Sequence, residues 1–155
     1  MANINELFPA WHNSAENRHR FGADAEHEFE KWYRCCRTAH CADNMLMRTG
    51  HIKAGHPDFS CDYCGQLIDV KNAKKQNNIV NISQRPFESY GEDTILAVLT
   101  RDGWKGQYRR NALAINNEVH RPAHYENATS YYRIGLGNFV ELERLGLTRV
   151  FLSNY

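Results

Sequence analysis

The chain has 155 residues, 42% of them hydrophobic, with 19 Lys and Arg against 18 Asp and Glu. That length fits one domain with an ordinary core, and the formal charge of +1 excludes bulk attraction as the source of any nucleic-acid affinity, which would need a local basic cluster. No stretch approaches a membrane span and residues 1–20 hold no apolar run of signal-peptide length, so the expectation is a cytoplasmic protein whose five cysteines stay reduced and favour metal over disulfides.

Residues 1–20 lack clean periodicity and read as an arm or short helix packing through Leu7, Phe8 and Trp11, ahead of a single domain over 21–155. Phe21, Ala25, Phe29, Trp32, Tyr33 and Cys36 recur at helical spacing and predict an amphipathic helix ending near Cys35 or Cys36. Glu26 lies three before Phe29 and shares that inward face. A polar loop follows through Cys41, then a short strand over 45–48. Residues 56–60 and 66–72 predict two strands joined by Cys61-Asp-Tyr-Cys64-Gly65. A short helix is expected within 79–87, with Gln84 and Arg85 near its middle. Residues 94–100, Thr-Ile-Leu-Ala-Val-Leu-Thr, are a continuous apolar run and predict a buried central strand. Another strand is expected over 104–116, a loop over 117–130, a short helix over 139–145 ended by Gly146, and an edge strand over 149–152.

The chemistry concentrates between His56 and Lys75. In Asp69-Val70-Lys71 the period of two puts the acid and the lysine on one face of the strand, with Val70 in the core. Asp58, on the adjacent strand, can lean to the same side. Two carboxylates so placed suit Mg²⁺, a hard cation that takes one or two carboxylates plus water and phosphate. A lysine beside such a metal can orient or help deprotonate an attacking water, or stabilise the transition state of phosphoryl transfer.

Pro57-Asp58, ten residues, then Asp69-Val70-Lys71 resembles the signature of the PD-(D/E)XK nuclease superfamily, and the helix carrying Gly22-Ala-Asp-Ala-Glu26 is similar to that superfamily's first helix. The resemblance covers roughly residues 20–100. It implies an α/β domain with a mixed, partly parallel sheet flanked by helices. It also implies Mg²⁺- or Mn²⁺-dependent DNA endonuclease activity leaving 5′-phosphates, with Asp58 and Asp69 as metal ligands, Glu26 as accessory acid and Lys71 as catalytic lysine. Gln84 resembles a glutamine that some members place near the site. A double-strand cut by such a site often needs a homodimer. The rival reading is a zinc-stabilised nucleic-acid-binding or protein-interaction module that has kept the fold without cleavage.

Cys61-x-x-Cys64-Gly65 has the spacing of a zinc knuckle, the glycine permitting a tight turn. Cys36 and Cys41 are the expected remaining ligands, with Cys35 or His40 as alternatives. A helix running from Glu26 to Cys36 would rise about 15 Å, which sets the zinc at one end of the strands and the carboxylates at the other. Lys74, Lys75, Arg85, Arg109 and Arg110 are the basic residues nearest the proposed site and the candidates for holding DNA phosphates.

Overall fold

The computed structural model describes residues 15–35, 46–48, 57–74, 78–113 and 130–149. Strand β6 (Ile95–Thr100), expected as the central strand, is an interior one, fourth in a five-stranded sheet ordered β2 (Leu46–Arg48), β3 (Phe59–Cys61), β4 (Leu67–Asn72), β6, β7 (Gly103–Tyr108), in which β4 is central. β4 and β6 run parallel and the remaining pairs antiparallel, so the sheet is mixed. A continuous apolar strand needs cover on both faces, and β6 has it. Ile95, Ala97 and Leu99 enter one core with Ala25 and Phe29 of helix α1 (Ala15–Trp32) and with Ile68 and Val70 of β4. Leu96 and Val98 enter a second core with Val80, Ile82, Ile134 and Tyr90. The second core lies under a two-stranded ribbon, β5 (Ile79–Ser83) with β8 (Tyr131–Gly135), and the short helix α2 (Gln84–Ser89). Among the described residues no helix is long and apolar enough to cross a membrane.

Several elements depart from the pattern-based expectation. α1 begins at Ala15, within the segment expected as an arm, and ends at Trp32; residues 1–14 lie outside the described set. The chain goes straight from α1 into a strand, β1 (Tyr33–Cys35), which pairs with β9 (Leu147–Arg149). Phe29, Tyr33 and Trp104 pack ring against ring at this junction, with centroids 5.5 to 6.0 Å apart. Residues 79–83, expected as helix, are strand. Val80 and Ile82 are buried while Asn81 and Ser83 are exposed, a period of two that the ribbon partner β8 satisfies. The helix starts only at Gln84, and Pro86 falls in its first turn, where a missing N–H breaks no intrahelical bond.

β7 stops at Tyr108, short of the expected 116, in a 3₁₀ turn over Arg109–Asn111. In place of a helix over 139–145, Val140 bridges β7 and only Leu142–Leu145 turns, closed by Gly146 at φ +89. The bridge requires a close approach. Val140 and Gly106 exchange backbone hydrogen bonds of 2.7 and 2.9 Å. A methyl group at Gly106 would stand 2.5 Å from a Leu142 methyl and 3.0 Å from the Leu96 carbonyl. Gly106→Ala should therefore destabilise the protein by about 1–3 kcal/mol, read as a lowered urea midpoint with unchanged slope.

Candidate active site

The β3–β4 hairpin builds the acidic end of the site. Phe59 pairs with Ile68, so extending the antiparallel register by one residue sets Asp58 opposite Asp69. The Val70 N–H donates to Asp58 Oδ2 at 2.8 Å, which holds the aspartate against the end of β4. On β4, Ile68 and Val70 face α1, leaving Asp69 and Lys71 on the opposite face, beside Leu96 and Val98 of β6. Lys71 Nζ sits 3.2 Å from Asp69 Oδ2, with 32% of the lysine side chain exposed and Asp69 only 1% exposed. Glu26, on α1, lies near enough to Asp58 to help push that carboxyl upward. The four groups thus follow in order, Glu26, Asp58, Asp69 and Lys71.

Burial dominates the electrostatics. The Asp58 carboxyl is pushed up to about 6, first by desolvation and then by the neighbouring Glu26, against the lowering pull of the Val70 N–H and Lys71. Asp69 is also pushed up to about 6 by burial, with the Lys71 ammonium opposing and the nearby Asp58 charge adding. Lys71 is raised by the Asp69 charge, which outweighs the desolvation acting against it. Fully ionised, three carboxylates face one ammonium, an excess of two negative charges.

Asp58 and Asp69 offer a divalent cation two carboxylates, but Glu26 is not gathered with both within 4.8 Å, a closeness that only the cysteine group reaches among the described residues. Asp69 Oδ2 is buried and paired with the Lys71 ammonium at 3.2 Å, with no other hydrogen-bond donor to it among the described residues. The donors are all carboxylate oxygens, the chemistry of Mg²⁺ or Mn²⁺ rather than of soft metals.

Three further ligand-type residues meet elsewhere. The sulfurs of Cys35, Cys61 and Cys64 lie within 4.8 Å of one another, close enough to hold a metal ion such as zinc. Cys35 and Cys64 Sγ are 3.6 Å apart, and the Cys64 N–H donates to Cys61 Sγ at 3.5 Å. Gly65, at φ +78, closes the loop with its N–H on the Cys61 carbonyl. Cys35, kept as an alternative to Cys36, is the helix-end cysteine in this group. The reason is the early end of α1: in a strand, Tyr33 and Cys35 share the buried face, whereas a continued helix would have turned Cys36 inward. Cys36, Cys41 and His40 lie outside the described residues.

Other expected site residues are placed less centrally. Gln84 opens α2 and donates to Glu88 at 3.0 Å, while Glu88 also accepts from the Tyr132 hydroxyl. Arg109 donates to the Phe87 carbonyl and stacks on the Phe87 ring, and Arg110 pairs with Asp93 over the Tyr108 ring. Both arginines therefore anchor the turn after β7. Lys74 is exposed just beyond β4, 4.0 Å from Glu28, and Arg85 is exposed on α2. Lys75 lies outside the described residues.

The residue that sequence reasoning missed is Tyr90. It follows α2, is buried, and lies close enough to Asp69 that burial and the Asp69 charge hold its phenol far above its ordinary range. No local motif marks it; a Tyr just before Gly91 reads as the end of a loop. No family model and no curated protein matches the chain.

Proposed function

We propose that the protein is a Mg²⁺- or Mn²⁺-dependent DNA endonuclease with a PD-(D/E)XK-like core, hydrolysing phosphodiesters to leave 5′-phosphates in the cytoplasm. Zinc on Cys35, Cys61 and Cys64 acts structurally, tying the end of α1 to the hairpin that carries Asp58 and Asp69. The observation that supports the reading best is the buried Asp69 carboxylate paired with Lys71 Nζ at 3.2 Å, on the strand beside the one that Asp58 leads into.

The bound cation would supply Lewis-acid polarisation of the phosphate and a lowered pKa for water. Asp58 and Asp69 would hold it, with Glu26 completing the acidic wall. The raised pKa of Lys71 keeps the side chain charged, so its role is to orient the incoming water and neutralise charge gathering on the phosphate, not to take up a proton near neutral pH. Lys74 and Arg85, exposed near either end of the site-bearing elements, are the first candidates for flanking phosphates, a sequence-independent and salt-sensitive contribution. With a single site per chain, a double-strand break would take two copies.

Supercoiled plasmid incubated with Mg²⁺ or Mn²⁺ should be nicked by the parent protein, with nicking reduced about 10²- to 10³-fold in Asp69→Ala and Lys71→Ala, the scale seen when a preorganised electrostatic group is lost. Equal nicking by all three would mark a contaminant. Binding without nicking by any of them would instead favour the non-catalytic, zinc-stabilised module.

A further inference from the structure

We propose that the outer face of the β5–β8 ribbon binds single-stranded DNA, with Tyr131 stacking on a base while Arg133 and Arg85 hold phosphates to either side. The inference rests on the nuclease reading above for the kind of ligand, and it names the form of DNA that the protein grips. Alternation along the ribbon assigns its two faces. Val80, Ile82 and Ile134 are buried in the second core, and Tyr132 packs against it. Asn81, Ser83, Tyr131 and Arg133 therefore lie on the outer face, Asn81 opposite Arg133 and Ser83 opposite Tyr131. Ser83 leads directly into α2, so Arg85 follows two residues beyond the position opposite Tyr131.

The positive charge on this face is uncompensated. Arg85 and Arg133 are exposed, and neither side chain forms an ion pair or hydrogen bond among the described residues. Glu88, the acid nearest Arg85 in the chain, accepts from Gln84 at 3.0 Å and from the hydroxyl of Tyr132, a residue of the inner face, at 2.5 Å. In a chain of formal charge +1, such a face is the local basic surface that a polyanion complements. A half-exposed aromatic ring between two cations suits a single strand, whose bases stack on the ring while the cations follow the backbone. A duplex keeps its bases stacked on one another and offers the ring no face. The ribbon also stands over Leu96 and Val98, on the sheet face that carries Asp69 and Lys71, so a strand held here lies on the site's side of the sheet.

A short fluorescein-labelled oligothymidylate, titrated without added Mg²⁺, reads binding without cleavage. The parent protein should bind it more tightly than a duplex of the same length. Tyr131→Leu should weaken that binding about tenfold, the scale of one lost base–aromatic stack, and Tyr131→Phe should keep it. Arg133→Gln and Arg85→Gln should each reduce the dependence of log Kd on log salt by about 0.7, the share of one phosphate on a single strand.

If Tyr131→Leu does not fold, the two arginine variants, altered only at exposed side chains, decide the matter through the salt dependence. Tighter binding of the duplex overturns the proposal. So does an affinity that Tyr131→Leu leaves unchanged, or a salt dependence that neither arginine variant moves. A parent protein that binds the oligonucleotide and never cleaves DNA sinks the nuclease reading alone. One that nicks plasmid without binding single strands sinks this proposal alone.

Discussion

Asp69→Asn should be more stable than the parent protein above pH 7 and unable to cleave DNA. The reasoning begins with burial. Asp69 is raised from 3.8 to about 6 in the folded protein, chiefly by desolvation. Between those values the folded chain binds the proton that the unfolded chain has released, so folding stability falls as pH rises through this window. A displacement of this size corresponds to roughly 3 kcal/mol once Asp69 is ionised in both states. Asparagine keeps the shape and never ionises. The difference in unfolding free energy between variant and parent should therefore be near zero at about pH 3, roughly 1 kcal/mol at pH 4.5, and reach about 2–3 kcal/mol in favour of the variant at pH 7.5. Taking the difference also cancels the acid sensitivity of the thiolate metal site. Added Mg²⁺ should narrow the gap, because it binds the folded parent through the ionised carboxylate and gains less from the amide. An Asp69→Asn protein less stable than the parent at pH 7.5 would mean that Lys71 compensates the buried charge fully.

Removing the thiolate-bound metal should loosen the opposite end of the same hairpin. Metal analysis should find about one zinc per chain, and Cys35→Ser should lose it as completely as Cys61→Ser. Free energies of structural zinc binding in small domains are about 10–16 kcal/mol at pH 7, comparable with the whole stability of a domain, about 5–15 kcal/mol. Chelation or either substitution should thus lower the thermal midpoint by tens of degrees or abolish folding. Cys35→Ser protein that retains zinc and melts like the parent would remove Cys35 from the site.

The two experiments are linked through the architecture. α1 carries Glu26 and leads directly into Cys35, while Asp58 leads through β3 into Cys61. A metal held by the thiols would fix the relative position of the two elements that carry Glu26 and Asp58.

What could be read in the chain beforehand was what local pattern decides. The apolar run at 95–100 marked the covered strand, the knuckle marked the hairpin, and the period of two put Asp69 and Lys71 on one face. These follow from steric alternation and turn chemistry within a few residues. Where the reading erred, distant partners had decided. Ile79–Ser83 is a strand because β8 lies beside it, about fifty residues on in the chain. The choice between Cys35 and Cys36 turned on where α1 stops, and β9 settles that by drawing Tyr33–Cys35 into extended pairing.

The amino-acid sequence by itself therefore determined the acids, the lysine, the knuckle and the strands that carry them, because each depends on neighbours within one turn or one hairpin. Only the tertiary structure decided that Cys35 joins Cys61 and Cys64, that Tyr90 is buried on the sheet face that carries Asp69, and that Arg109 and Arg110 serve the turn after β7. Those contacts depend on packing between segments far apart in the chain, and no local periodicity encodes them.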